Sequence, residues 1–151
     1  MDFTVRQAGP GDIPHLCGLL SELFSLEADF TIDLEKQSRG LRLLVNDSSG
    51  SSIVLAAEKA GEVVGMCSVQ KLISTSEGGP VGLLEDLVVR KDCRGKGIGR
   101  HLLAAAGDWC IQQNLLRLQL LRDKDNIAAV KFYELNGWSN TNLVCMRRYP
   151  T

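Results

Sequence analysis

Between residues 81 and 109 the sequence changes its hydrophobic period across one glycine-rich turn. Val81–Val89 (VGLLEDLVV) is rich in strand-forming residues. Beyond the turn, Ile98, Leu102, Ala105, Ala106, Trp109 and Cys110 recur at the spacing of one helix face, with His101 and Arg100 off it. Between the two lies RKDCRGKGIGR, dense in glycine and positive charge. A strand that feeds a helix through such a turn aims successive backbone N–H groups and the helix N-terminus at a single point, and that point suits an anion. Gly95, Gly97 and Gly99 permit positive φ and leave no Cβ in the way, so a diphosphate can approach the main chain. Arg94, Lys96 and Arg100 add charge.

Two phosphate-binding motifs do not fit the spacing. A Walker loop needs G-x-x-x-x-G-K-[ST], but Lys96 is followed by Gly97 rather than by a hydroxyl. A dinucleotide fingerprint needs G-x-G-x-x-G in a first βαβ unit, and here the third glycine comes one residue early and after a run of β-rich segments. The flanking pattern gives the wider frame. Phe3–Ala8 reads as a first strand closed by Gly9-Pro10-Gly11, and Asp12 as the N-cap of a helix with the stripe Ile13, Leu16, Cys17, Leu20 and Phe24. Leu34, Leu41, Leu44 and Val45 keep helical spacing across Gly40. Ile53–Glu58 and Glu62–Ile73 are β-rich runs joined at KAGE, a hairpin signal. After the glycine loop and its helix come a strand at Leu115–Leu121, a helix at Asn126–Leu135 stopped by Asn136-Gly137, and a final strand or strands within Trp138–Tyr149. The order β-αα-βββ-α-β-α-β is that of a mixed α+β sandwich, not of regular βαβ alternation.

A chain of 151 residues fits one domain, 1–151, with one core and one site. With 17 basic and 18 acidic residues the net charge is −1, which argues against a surface that tracks nucleic acid. The 5 cysteines contain no CxxC and the 2 histidines have no ligand spacing, so reduced thiols and no metal are expected. The N-terminus lacks a signal pattern and no apolar run approaches a membrane span, which makes the cytoplasm the expected location and excludes a membrane partner.

The run Arg94-Gly95-Lys96-Gly97-Ile98-Gly99 is similar to the R/Q-x-x-G-x-G/A signature of the GNAT acetyltransferase superfamily. LLEDLVVRKDC upstream resembles that family's fourth strand, and DNIAAVKFYELNGW downstream resembles its N-x-x-A-x-x-F-Y-E-x-x-G-[FW] helix, so the likeness spans nearly the whole chain. It implies the GNAT fold, with a mostly antiparallel sheet of about 6–7 strands and about 4 helices. It also implies acetyl-CoA as acetyl donor, its pyrophosphate held by the loop from Arg94 through Gly95, Lys96, Gly97, Ile98 and Gly99 to Arg100. Main-chain groups of Leu87, Val88 and Val89 would pair with the pantetheine arm, and Asn126 would hydrogen-bond it. Tyr133 matches the tyrosine that serves as general acid, and a phenol of pKa about 10 suits a departing thiolate.

An alkylammonium acceptor must lose a proton before it attacks, and the adjacent acids Glu85 and Asp86 lie in the strand leading to the loop. Strand alternation puts them on opposite sides, and Glu85, sharing parity with Leu87 and Val89, is the favoured base unless a bulge upsets that parity. Glu22, Glu27, Asp29, Asp33 and Glu35 cluster with Phe24 and Phe30 near the first two helices, where a cationic amine would be welcome; a solvated helix face explains the same charges. The reading is an acetyltransferase acting on a small-molecule primary amine by direct attack in a ternary complex, since no cysteine sits in a Cys-His arrangement. A protein lysine or N-terminal acetyltransferase and a non-catalytic CoA-binding module are the alternatives. NLVCMRRY near the C-terminus offers an edge for homodimer pairing.

Overall fold

A computed structural model of the chain describes residues 1–150. It divides into two compact units, Met1–Leu120 and the residues from Leu121 onward. The first holds a five-stranded sheet in the order β1-β2-β3-β4-β5, with β1 at Thr4–Gln7, β2 at Ser52–Lys59, β3 at Glu62–Ser74, β4 at Gly79–Val89 and β5 at Leu118–Leu120. The first four pair antiparallel and β5 runs parallel to β4. Helices α1 (Ile13–Leu26) and α2 (Leu34–Val45) lie between β1 and β2 in sequence, and α3 (Ile98–Gln112) links β4 to β5. The second unit contains one helix, α4 (Ile127–Leu135).

The β2–β3 hairpin closes through Ala60 and Gly61, both at positive φ between the paired Lys59 and Glu62, the geometry that the right-handed twist of a hairpin demands. One face of the sheet packs Val54, Ala56, Met66 and Val88 against Ile13, Leu16, Leu20 and Leu41 of α1 and α2. The other face receives α3. A Cβ added to Gly65 would lie 3.2 Å from both Ile98 and Leu102, so glycine there lets α3 settle directly on β3.

Several expectations are revised. The sheet has five strands rather than six or seven, and the expected strand within Trp138–Tyr149 is irregular backbone with Leu143, Val144 and Met146 exposed. Strand-forming residues make a strand only where a neighbouring ladder accepts their hydrogen bonds. The strand at Leu115–Leu121 shortens to three residues, since Leu116 and Leu121 are exposed and the parallel register with β4 spans only Gly82–Leu84. Asp12 precedes α1 but does not cap it by its side chain. Its carboxylate turns back to accept the Gly9 N–H at 2.8 Å and to pair with the Arg6 guanidinium, which also reaches Glu58. In α2 the expected core residue Leu34 is exposed, and the buried positions are Leu41 and Gln37. No helix among the described residues is long and apolar enough to cross a membrane.

Candidate active site

The centre of the site is a break in the β3–β4 register. Met66 faces Val88 and Ser68 faces Glu85, so the single residue Cys67 opposes Asp86 and Leu87 together. Asp86 accommodates this bulge at φ 56°, a left-handed conformation that Asp tolerates better than most side chains. Strand parity is thereby reset. Glu85 lies opposite Ser68 and shares its face with Val88, on the α1–α2 side, rather than with Leu87 and Val89 as alternation predicted.

Glu85 and Asp86 both line a cleft of about 490 Å³ between β4 and the first two helices. Leu20 and Phe24 of α1 and Gln37 and Leu41 of α2 form its apolar flank, while Asp33 and Lys36 sit at the α2 N-terminus. Phe24 also stacks on Phe30, with ring centroids 5.1 Å apart. Glu85 is exposed and Asp86 half-buried. Burial lifts the Asp86 carboxyl from its usual 3.8 to about 6, and the negative charges of Glu85 and Glu27 push in the same direction. A carboxyl in that range exchanges protons near neutral pH.

Gln37, which no sequence pattern singled out, braces this cleft. It is 7% exposed, donates to the Cys17 carbonyl at 3.2 Å and to Ser21 Oγ at 3.1 Å, and accepts the Asp33 N–H at 2.9 Å. Asp33 in turn caps α2 by accepting the Lys36 N–H. The acids grouped by sequence therefore divide by role. Asp33 lines the cleft, Glu27 acts on Asp86 through its charge, Glu35 pairs with Arg39 on the surface of α2, Asp29 is exposed, and Glu22 turns to the glycine loop.

The loop begins with a 3₁₀ turn at Lys91–Cys93 and ends where α3 starts. Gly95 and Gly97 take φ of 74° and 84°, whereas Gly99 is helical and needs no such freedom. A Cβ on Gly95 would meet nothing within 4 Å, so its main chain is open on that side. The first intrahelical bond runs from His101 N–H to Gly97 O, which leaves the N–H groups of Ile98, Gly99 and Arg100 ahead of the helical ladder. That donor set fits a diphosphate. The positive side chains are unequally free: Arg94 Nε donates to Val89 O at 2.8 Å and Lys96 Nζ to Asp92 O at 3.2 Å, while Arg100 is exposed.

The edge of β4 that leads to this loop is open. Its parallel pairing with β5 stops at Leu84, and no strand among the described residues continues beside Glu85–Val89. Arg90 N–H donates to Val64 O, which makes Gly65 and Val89 the non-hydrogen-bonded pair and turns the polar groups of Val89 to that edge, where Arg94 Nε already meets the carbonyl. Of the expected backbone partners, Val88 is buried, and Leu87 and Val89 are half-buried.

In the second unit, Asn126 caps α4 by accepting the Ala129 N–H at 3.0 Å. Gly137 closes the helix at φ 86°. Tyr133 is half-buried, with its ring in edge contact with Phe132 and Trp138 at centroid distances of 5.3 and 5.9 Å.

A mixed sheet whose fourth strand bulges at a carboxylate and runs into a glycine-lined helix N-terminus sets a proton acceptor beside an anion cradle, the parts that an acetyl-transferring enzyme needs. The profile of the Acetyltransferase (GNAT) family matches residues 19–138, and the chain belongs to that family. Among its relatives, the aminoglycoside N(6')-acetyltransferase type 1 of Stenotrophomonas maltophilia is 29% identical, over 97% of this chain and 93% of that protein. An uncharacterized N-acetyltransferase of Bacillus subtilis (YhfO) is 34% identical over 90% of this chain and 89% of its own. The structure of AAC(6')-Iy in complex with the bisubstrate analogue CoA-S-monomethyl-acetylneamine covers 100% of both chains with a TM-score of 0.82 at 18% identity, a likeness of fold. The protein is a GNAT acetyltransferase.

Proposed function

We propose that the chain, as one acetyltransferase domain over 1–151, moves an acetyl group from acetyl-CoA to the primary amine of a small molecule held in the α1–α2 cleft. The observation that carries this reading is the bulge, which brings a half-buried carboxyl of pKa about 6 to a cleft at the strand end that enters the glycine loop. Acetyl-CoA, when bound, supplies a thioester whose carbonyl carbon the amine attacks. The backbone N–H groups of Gly95–Arg100 and the α3 N-terminus receive its pyrophosphate, helped by Arg100. The open edge of Leu87–Val89 receives the pantetheine arm.

The ammonium of the acceptor gives its proton to the Glu85–Asp86 pair. We assign the base to Asp86, because its carboxyl is half-buried in the cleft and titrates near 6, while the favoured candidate of the sequence, Glu85, stands exposed beside it. The neutral amine forms the C–N bond, the C–S bond breaks, Tyr133 supplies the proton to the leaving thiolate, and the surplus proton on the new amide nitrogen restores the Tyr133 phenol, with Asn126 holding the cofactor arm. A direct route agrees with the state of the cysteines. Burial pushes the Cys67 thiol up to about 12 and raises Cys17 and Cys110 as well, so these groups stay protonated and poor nucleophiles.

The relatives that act on aminoglycosides and the size of the cleft favour a small cationic amine over a peptide. Coenzyme A release should be measured with purified protein against polyamines, amino sugars, aminoglycosides, amino acids and short peptides. Amine-dependent release supports the reading, release with peptides alone transfers it to a protein acceptor, and binding of acetyl-CoA without release by any amine overturns it.

A further inference from the structure

The glycine loop is tied to α1 by one carboxylate. Glu22 Oε2 accepts the Lys91 N–H at 3.1 Å and lies 3.5 Å from Arg94 Nη2. Arg94 also reaches the strand, with Nε donating to Val89 O at 2.8 Å. Three segments thus meet at one side chain: the middle of α1, the turn at Lys91–Cys93, and the end of β4. A lone surface ion pair contributes little. Here the carboxylate also takes a main-chain donor, and the guanidinium it holds braces a main-chain acceptor, so the network fixes backbone at both ends of the turn.

We infer that Glu22 is a positioning residue for the donor loop: it holds Lys91 and Arg94 so that the backbone N–H groups following Arg94 face the anion as a preformed cradle. The inference rests on the reading of this loop as the acetyl-CoA site. It also gives Arg94 a second role, since a guanidinium shared between Glu22 and Val89 O braces the loop whose main-chain donors face the anion. The same helix carries Leu20 and Phe24 into the acceptor cleft, so α1 fixes one wall of the cleft and one anchor of the loop.

The two accounts of Glu22 differ in sign, which makes the test sharp. If the residue were only a surface acid near an anion site, removing its charge would strengthen binding by relieving repulsion. If it positions the loop, removing it weakens binding although the site becomes more positive. Glu22→Ala loses both contacts, while Glu22→Gln keeps an acceptor for the Lys91 N–H and loses the ion pair.

Calorimetric Kd values for coenzyme A, and kcat and KM with acetyl-CoA, should be measured for wild type and both variants, with amide hydrogen exchange of Lys91 in the free protein. The expected result is a Kd and donor KM raised about tenfold in Glu22→Ala and about threefold in Glu22→Gln, with kcat and acceptor KM within about twofold. Lys91 exchange should accelerate in Glu22→Ala and remain slower in Glu22→Gln. A donor Kd that falls or stays level in Glu22→Gln, which retains the shape of the native side chain, overturns the inference even if Glu22→Ala does not fold. Wild-type protein that fails to bind coenzyme A overturns the acetyl-CoA reading itself, and this inference with it.

Discussion

Asp86→Asn separates the two roles assigned to the bulge, structural strain and proton acceptance. Asn retains the size of the side chain and its tolerance for the left-handed backbone at φ 56°, so the bulge persists. What disappears is the charge. Raising a carboxyl from 3.8 to about 6 corresponds to about 3 kcal/mol between the ionised and neutral forms. Because Asp86 is half-buried, solvent screening reduces the usable part to roughly half of that, about 1.5 kcal/mol. The sign follows from linkage. Between about pH 4 and 6 the folded chain holds a proton that the unfolded chain has released, so this group's contribution to stability falls as pH rises through that window and stays low above it.

Asp86→Asn should therefore raise Tm by about 3–6 °C at pH 7.5 and hardly at all near pH 4. In the same variant kcat/KM should drop by a factor of about 10² to 10³, and the loss of activity expected of wild type below about pH 6 should vanish. Scanning calorimetry and initial rates from pH 4 to 8, with Glu85→Gln as the parallel variant, measure both. A stability change that does not depend on pH, or an Asp86→Asn enzyme with wild-type kcat/KM, would refute the assignment; a larger kinetic loss in Glu85→Gln would return the base to Glu85.

Tyr133→Phe should keep the aromatic contacts with Phe132 and Trp138 while lowering kcat about a hundredfold at unchanged donor Kd, measured by steady-state kinetics and calorimetry. Gly97→Ala places a Cβ at φ 84°, which should destabilise the protein by about 1 kcal/mol and weaken coenzyme A binding several-fold; Gly107→Ala, inside α3 where a Cβ meets nothing within 4 Å, should be neutral or stabilising in the same thermal melts. Gln37→Ala leaves a buried carbonyl and hydroxyl without their amide donor and should lower Tm by about 4–8 °C, with acceptor KM rising more than donor KM as α2 loosens from α1.

Much of the fold was legible because hydrophobic period and turn chemistry act locally. The hairpin at Ala60-Gly61, the cap at Asn126 and the stop at Gly137 each follow from one or two residues whose conformational preferences decide the geometry. The glycine loop was legible for the same reason, although only Gly95 and Gly97 use positive φ. The segment from Trp138 to Tyr149 misled because strand propensity describes a residue's fit to a ladder, and the ladder itself lies elsewhere in the chain. Leu34, part of the helical apolar spacing, is exposed and Gln37 is buried for a comparable reason. A buried glutamine whose amide meets Cys17, Ser21 and Asp33 has no hydrophobic signature, and its partners are up to 20 residues away.

The bulge is the most consequential of these non-local features. Alternation in EDLVV assigns Glu85 and Val89 to one face, and nothing in those five residues marks Asp86 as the one that departs from the strand. The cause is in the packing on either side. Leu84 must pair with Val69, and Val88 must join Met66 in the core against α1 and α2, and both constraints are met only if β4 carries one residue more than β3 between them. The surplus falls at Asp86, which tolerates the left-handed backbone, and the same departure from the ladder places its carboxyl at the cleft. Restoring regular pairing by deleting one residue from Asp86-Leu87 would align the ladder but remove either the carboxyl or the break that presents it. The strain at φ 56° and the raised pKa therefore have one origin, the register of the core, which is why a substitution that spares the backbone, Asp86→Asn, is the informative one.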